Sequence, residues 1–234
     1  MGLGDTLKRD IEHTLSTKWN VREGKKVPEA ESVGLSTSQA VKLDAAVLYA
    51  DLAASTMLVR NYSHQFCAKV YKTYLAATCK ILRQKGASIT SFDGDRVMGV
   101  FLGDSKNSDA GRCALAINHM VVKILNPAIH DRYPNLKKKG FKLRHGVGID
   151  AGELFAVRTG VRNNNDLAWI GEAANIAAKL SALRRYPKAL YLTQKVFSRL
   201  RREVKLNKGT SMWTKAESTT GGRTVYQSAY HWAL

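Results

Sequence analysis

Residues 47–56 read Val-Leu-Tyr-Ala-Asp-Leu-Ala-Ala-Ser-Thr. An apolar run reaches a lone aspartate, Asp51, and small residues follow where a helix should start. Period-2 alternation in a strand puts Tyr49 on the same sheet face as Asp51, roughly 7 Å along. The stretch is thus a strand that carries a carboxylate and a phenol to one end of a sheet.

Working outward, residues 45–52 form a short apolar strand, and a helical pattern over 57–83 ends at Lys85-Gly86. Residues 88–92 and 96–102 are strand-like and are joined by Asp93-Gly94-Asp95, a tight-turn signal. A helix from Ser108 places Ala110, Cys113, Ala114, Ile117, Val121 and Leu125 on one face. Residues 141–150 are another strand, Gly152 turns the chain into 154–158, and 167–170 is a brief strand. Then come a small-residue-rich helix over 172–183, a short strand at 191–192 and a helix through Leu200. A C-terminal hairpin follows, with Gly221-Gly222 between 211–217 and 224–230. The first half runs β-α-β-β-α-β, an α+β order shared by ferredoxin-like and polymerase-palm folds. Residues 1–40 are a polar N-terminal segment. It carries a short docking helix (Leu7, Ile11 and Leu15 after Asp5 as N-cap), and 25–38 reads as a loop. The domain proper is expected over 41–234.

The chain has 234 residues and 44% hydrophobic residues, ordinary for a globular protein that buries a sizeable core. No apolar run is long enough to span a bilayer, and no secretory leader is recognisable. The opening Met-Gly-Leu-Gly-Asp-Thr fits the loose myristoylation pattern, which chance meets often. Three cysteines without metal spacing, with Cys67 and Cys79 held apart on one helix, are expected to be reduced core thiols of a cytoplasmic protein. The formal charge of +18 implies affinity for polyanions, including phosphate-rich small molecules. Its basic runs, at 137–139, 184–185 and 201–202, are ordinary solvated surface and do not choose the partner.

Asp51 ends the first strand and Asp95 lies in the turn between the next two. Pairing of those strands at about 4.8 Å brings the carboxylates close. Clustered carboxylates repel unless protonated or bridged by a cation, and hard oxygen ligands suit Mg²⁺ or Mn²⁺. Two such ions can activate a hydroxyl and neutralise a transferring phosphoryl group. Asp93 is a third carboxylate nearby, with turn-former as its default role. Ala53, Ala54, Ser55 and Thr56 put free backbone N–H groups at a helix start, a ready phosphate site. Asn175 and Lys179 lie one helical turn apart on one face; by spacing alone that is an ordinary helix surface, though such a pair could reach a ribose oxygen and a phosphate.

Four separated segments, VLYADLAAST (47–56), FDGDRVMGVF (92–101), RHGVGIDAGE (144–153) and DLAWIGEAANIAAKLS (166–181), occur in an order and spacing that resemble the class III nucleotidyl cyclase domain. The resemblance spans about residues 45–183 and implies a homodimer with composite active sites. It implies that Asp51 and Asp95, with the Leu52 backbone carbonyl, bind two divalent ions, Mn²⁺ or Mg²⁺. Asn175 of the second subunit would orient the ribose. Lysine stands at position 179, where the family carries an arginine for the α-phosphate; the charge is kept and the planar fork is lost.

The departures concern the base. Adenine readers carry a lysine just ahead of the Gly-Asp turn and guanine readers a glutamate; here Ser91 or a neighbour stands there. Asp166 aligns with the second purine-reading position. Tyr49 replaces the family phenylalanine and Arg96 follows the second metal aspartate. Those two features resemble the pyrimidine cyclases of bacterial Pycsar anti-phage systems. The resemblance implies conversion of UTP to 3′,5′-cyclic UMP, with CTP next, and a separate cyclic-nucleotide-activated effector. An adenylate cyclase with an altered base pocket is the alternative within the class. Outside it stands a non-catalytic nucleotide- or nucleic-acid-binding protein on a palm scaffold.

Overall fold

A computed structural model of the chain describes residues 2–35, 38–183, 185–217 and 220–233. Its first half comprises α1 (Leu3–Ser16), β1 (Asn20–Glu23), β2 (Gln39–Leu52), α2 (Ser55–Asn61), α3 (His64–Gln84), β3 (Ser88–Asp93), β4 (Arg96–Phe101) and α4 (Lys106–His119). A π-helical stretch, Met120–Leu125, leads into α5 (Asn126–Arg132) and α6 (Pro134–Lys138). Then follow β5 (His145–Val161), β6 (Asn164–Ile170), α7 (Glu172–Ser181), β7 (Leu190–Thr193), α8 (Gln194–Arg199) and α9 (Arg202–Lys205). The chain ends in four short strands, β8 (Leu206–Asn207), β9 (Thr210–Ser211), β10 (Thr214–Lys215) and β11 (Val225–Ser228).

The main sheet runs β10-β11-β7-β5-β2-β4-β3, with β1 parallel to the start of β2 and β6 antiparallel to the far half of β5. The expected β-α-β-β-α-β order is present as β2-α3-β3-β4-α4-β5. β2 is buried on both faces, which is why its sequence reads as nearly continuous apolar residues. Leu48, Ala50 and Leu52 enter one core with Tyr74, Leu82 and Ile117. Val41, Leu43, Ala45 and Val47 enter another with Ala173, Ala174 and Ala177 of α7.

α7 lies against β5 at very short range. A Cβ on Gly146 would stand 2.0 Å from the Ser181 carbonyl oxygen, and one on Gly148 would stand 2.1 Å from that of Ala177. Only glycine on the strand permits this approach. The Gly-x-Gly spacing on β5 is therefore a packing requirement, and it fixes where the exposed face of α7 points.

Several expectations are refined. The first strand extends back to Gln39, and β1 makes part of the N-terminal segment a sheet strand. The long helix is two helices: α2 stops at Tyr62, and Ser63 caps α3 by accepting a hydrogen bond from Phe66 N (3.3 Å). Gly152 does not turn the chain; β5 runs unbroken through it, with the Lys195 Nζ seated over its open face. Residues 141–144 are held outside the ladder, because Asn126 captures both Leu143 backbone groups. The N-cap of α1 is Gly2, whose N–H donates to Asp5 at the third helical position (3.1 Å). The apolar stripe of α1 is exposed rather than docked within the chain. Of the C-terminal hairpin, β10 and β11 pair, whereas positions 218–219, like Arg184 of the basic pair, lie outside the described residues. The cysteines are free; burial pushes the Cys113 thiol up to about 12. Among the described residues no helix is long and apolar enough to cross a membrane.

His145 is fully buried opposite Leu52, and neither ring nitrogen has a hydrogen-bond partner among the described residues. Burial lowers its pKa from 6.5 to about 4. Between these values the unfolded chain binds the proton and the native chain does not. This stabilisation is therefore complete above 6.5 and is lost as pH falls toward 4. Chemical denaturation should show a His145 contribution of about 2 kcal/mol lost between pH 7 and pH 5. His145→Phe should flatten that difference. Gly148→Ala should cost about 3 kcal/mol or more by driving α7 off β5, read as a lower Tm.

Candidate active site

β2 and β4 are antiparallel, with Asp51 opposite Arg96. Just beyond, the Leu52 N–H donates to the Asp95 carbonyl oxygen at 3.4 Å. The Gly94-Asp95 turn that delivers the second carboxylate needs the positive φ (+60°) that Gly94 supplies. Asp51 is only 6% exposed. Asp95 is half-buried, and its Oδ2 is shielded from solvent without a hydrogen-bond partner among the described residues. Both charges act on the same two phenols of α3. Tyr71 and Tyr74 are raised in pKa chiefly by burial, and further by Asp95 and Asp51. The two carboxylates predicted to meet therefore share one end of the sheet.

A shielded carboxylate oxygen with no donor suits a cation. The donors here are hard oxygens, the ligands of Mg²⁺ or Mn²⁺ rather than of a thiolate-seeking metal. Among the described residues no group of three or more His, Cys, Asp or Glu is assembled for a metal. That fits small divalent ions, which are commonly held by one or two carboxylates together with substrate phosphates and water.

The small-residue segment turns sharply. Ala54 adopts a left-handed conformation (φ 58°, ψ 35°), unusual for a residue with a Cβ and costing about 1 kcal/mol. The Ala53 N–H is occupied by the Arg144 carbonyl (2.9 Å), so Ala53 anchors the turn to the start of β5. Ser55 and Thr56 open α2, and the Tyr71 hydroxyl donates to the Ser55 carbonyl at 3.5 Å.

Tyr49 is half-buried on β2, with Met98 of β4 between it and Ser91 of β3 in one cross-strand row. A register shift between Ile89 and Ser91 sets which face Ser91 occupies. The Tyr49 pKa is raised by burial, while Arg96 and a hydrogen bond with the Ser91 side chain pull it down. The Arg96 guanidinium stands over the Tyr49 ring at 5.3 Å and also pairs with Asp93; its Nε is shielded and unpartnered among the described residues. Tyr49, Ser91 and Arg96 thus form one wall of neighbouring side chains beside Asp51.

Asp166 is not brought to that wall, and no contact joins Asn175 or Lys179 to it among the described residues. Asn175 and Lys179 are exposed on α7, and Asp166 is exposed on β6, where its Oδ1 accepts from the Leu167 N–H (2.7 Å). Asp51 pairs with Gly146 and Asp166 pairs with Thr159, both on β5. Thirteen residues of strand at about 3.3 Å each place those two levels roughly 43 Å apart. Sequence reasoning missed Tyr71, Tyr74, Arg144 and His145. The tyrosines fall three apart on the apolar face of α3 and look like core residues, and no local signal ties Arg144 to Ala53.

No family model matches the chain. It is 43% identical over 235 residues to a uridylate cyclase of Burkholderia cepacia, and both chains are covered in full. It is 40% identical over 236 residues to a uridylate cyclase of Xanthomonas perforans, again with both covered in full. Among solved structures, a bacterial light-regulated adenylyl cyclase superposes with a TM-score of 0.67 at 23% identity, over 80% of this chain and 51% of that one. The adenylyl cyclase CyaB from P. aeruginosa gives a TM-score of 0.63 at 18% identity, over 81% of this chain and 95% of that one. The fold is that of the class III cyclases, and with relatives this similar along their whole length the chain belongs to the uridylate cyclase family of nucleotidyl cyclases.

Proposed function

We infer that the protein converts UTP to 3′,5′-cyclic UMP and pyrophosphate, as a homodimer with active sites shared between subunits. The observation that carries this reading is the Tyr49–Ser91–Arg96 wall beside Asp51 and Asp95. A phenol and a serine hydroxyl occupy the space where purine readers carry a long charged side chain. The full-length relatives named uridylate cyclase support the same substrate.

Asp51 and Asp95, with the Leu52 carbonyl, would hold two divalent ions. Bound there, the ions would lower the pKa of the ribose 3′-hydroxyl and offset charge on the triphosphate. The 3′-oxygen attacks the α-phosphorus in line, and pyrophosphate leaves. Backbone N–H groups at Ala54, Ser55 and Thr56 would receive phosphate oxygens; Ala53 serves by position, since its own N–H is spent on Arg144. Tyr49 and Arg96 would read the pyrimidine edge. From the second subunit, Asn175 would orient the ribose, Lys179 would meet the α-phosphate and Asp166 would approach the base. The roughly 43 Å between the Asp166 and Asp51 levels supports the shared arrangement, because one chain cannot bring them to one nucleotide. The expected setting is the cytoplasm, with the product activating a separate effector in anti-phage defence. CTP is the second substrate reading, since the Tyr49 hydroxyl can donate or accept and so pair with either base.

Incubation with ATP, GTP, CTP and UTP separately, each with Mn²⁺, should give cyclic UMP as the main product. Cyclic AMP as the main product would overturn the pyrimidine reading, and no pyrophosphate from any nucleotide would overturn the cyclase reading. Asp95→Asn should reduce turnover more than about 100-fold while leaving Tm unchanged or raised, because it removes a shielded, unpartnered charge. Wild-type turnover in that variant would refute the metal assignment. Tyr49→Ala should narrow the preference for UTP over ATP, and an unchanged substrate ranking would dismiss Tyr49 as base reader.

A further inference from the structure

Helix α1 buries none of its residues against its own chain. Leu3, Leu7, Ile11 and Leu15 form one apolar stripe and are 76%, 50%, 56% and 82% exposed. The polar residues Asp10, His13 and Thr14 instead line a cleft of about 800 Å³ against Val157, Arg158 and Thr159 of β5. An amphipathic helix normally buries its apolar side, and a stripe of this kind left in water marks an interaction surface.

We propose that the α1 stripe packs on a second copy of this chain, across the rim of that copy's metal-bearing sheet end. The proposal rests on the shared-site dimer inferred above and names a contact that the shared site does not itself require. Two observations choose the occupant. First, α1 stands beside Thr159, the strand level that pairs with Asp166, which in the dimer must reach the second copy's Asp51. That copy presents exposed apolar side chains around the same end: Met57 and Val59 on α2, just past Ser55 and Thr56, and Phe92 just before the Asp93-Gly94-Asp95 turn. The stripe and the patch thus fall together under the two-fold relation that assembles the site, each chain giving one and receiving the other. Second, α1 holds Asp5, Asp10 and Glu12 against Lys8 and Arg9, a net charge of −1, whereas the whole chain carries +18. The weak negative charge of α1 means that like charge does not oppose its approach to a basic second copy, and it sets α1 apart from strongly basic membrane-binding helices.

The test uses the full chain carrying Leu7→Ser with Ile11→Ser, both exposed positions whose replacement leaves the fold intact. Sedimentation should show a dimer dissociation constant raised at least tenfold. Specific activity should fall at low protein concentration and recover at high concentration. Val59→Glu should weaken the dimer likewise. Mixing Ile11→Cys chains with Val59→Cys chains under mild oxidation should give a cross-linked pair that neither gives alone. A wild-type dimer unaffected by the double serine variant, with no mixed cross-link, overturns the α1 contact and leaves the shared site standing. A wild-type monomer with concentration-independent specific activity overturns the shared site itself. Capture of the wild type, but not of the variant, by phosphatidylserine vesicles, with dimerisation unchanged, assigns the stripe to lipid and also overturns the proposal.

Discussion

The separation between α7 and β5 is the constraint from which the rest of the arrangement follows. With Gly146 and Gly148 beneath Ala177 and Ser181, helix backbone rests directly on strand backbone. Backbone resting on backbone leaves the helix little freedom to roll, and Asn175 and Lys179 are exposed on its outer face. Cβ-free contact of this kind is unforgiving, since no flexible side chain separates the two backbones to absorb a change. The same strand pairs with β2 at its other edge and sets the level of Asp51.

Much of this was legible from residue order. Asp51, the Gly94-Asp95 turn and the β-α-β-β-α-β pattern all rest on short-range signals, and short-range signals survive folding. The breaks at Tyr62–Ser63 and at residues 141–144 were not legible. A capping serine inside a helical periodicity looks like any surface serine, and Asn126 acts on Leu143 from another element. Gly152 was misread as a turn because glycine in a strand has two causes, a turn or a close approach, and the neighbour in space, Lys195 of α8, is not visible from the strand's own sequence. Tyr71 and Tyr74 were hidden for the opposite reason: their periodicity as core residues is correct, and only their hydroxyls, facing the carboxylate end, make them part of the site.

Electrostatics and packing pull against each other at that end. Asp51 is buried like a core residue and Asp95 is half-buried nearby, while Arg96 is shared between the Tyr49 ring and Asp93. The left-handed Ala54 adds a small backbone cost next to them. Strained and charge-crowded groups concentrate where chemistry is expected, and the glycine-lined sheet behind them provides the rigidity that tolerates them.

β5 is a single strand of 17 residues, far longer than the usual five or six. One end of it stands by Asp51 and the other by Asp166, so a single rod carries the placement of both residues. Such a strand pairs with β6 across a short turn but with β2 and β7 across long connections, and those ladders close only after the long loops have closed. A chain in which β5 is unpaired places neither Asp51 nor Asp166, so the carboxylate end of the sheet and its far hairpin come into being together, at completion of the fold.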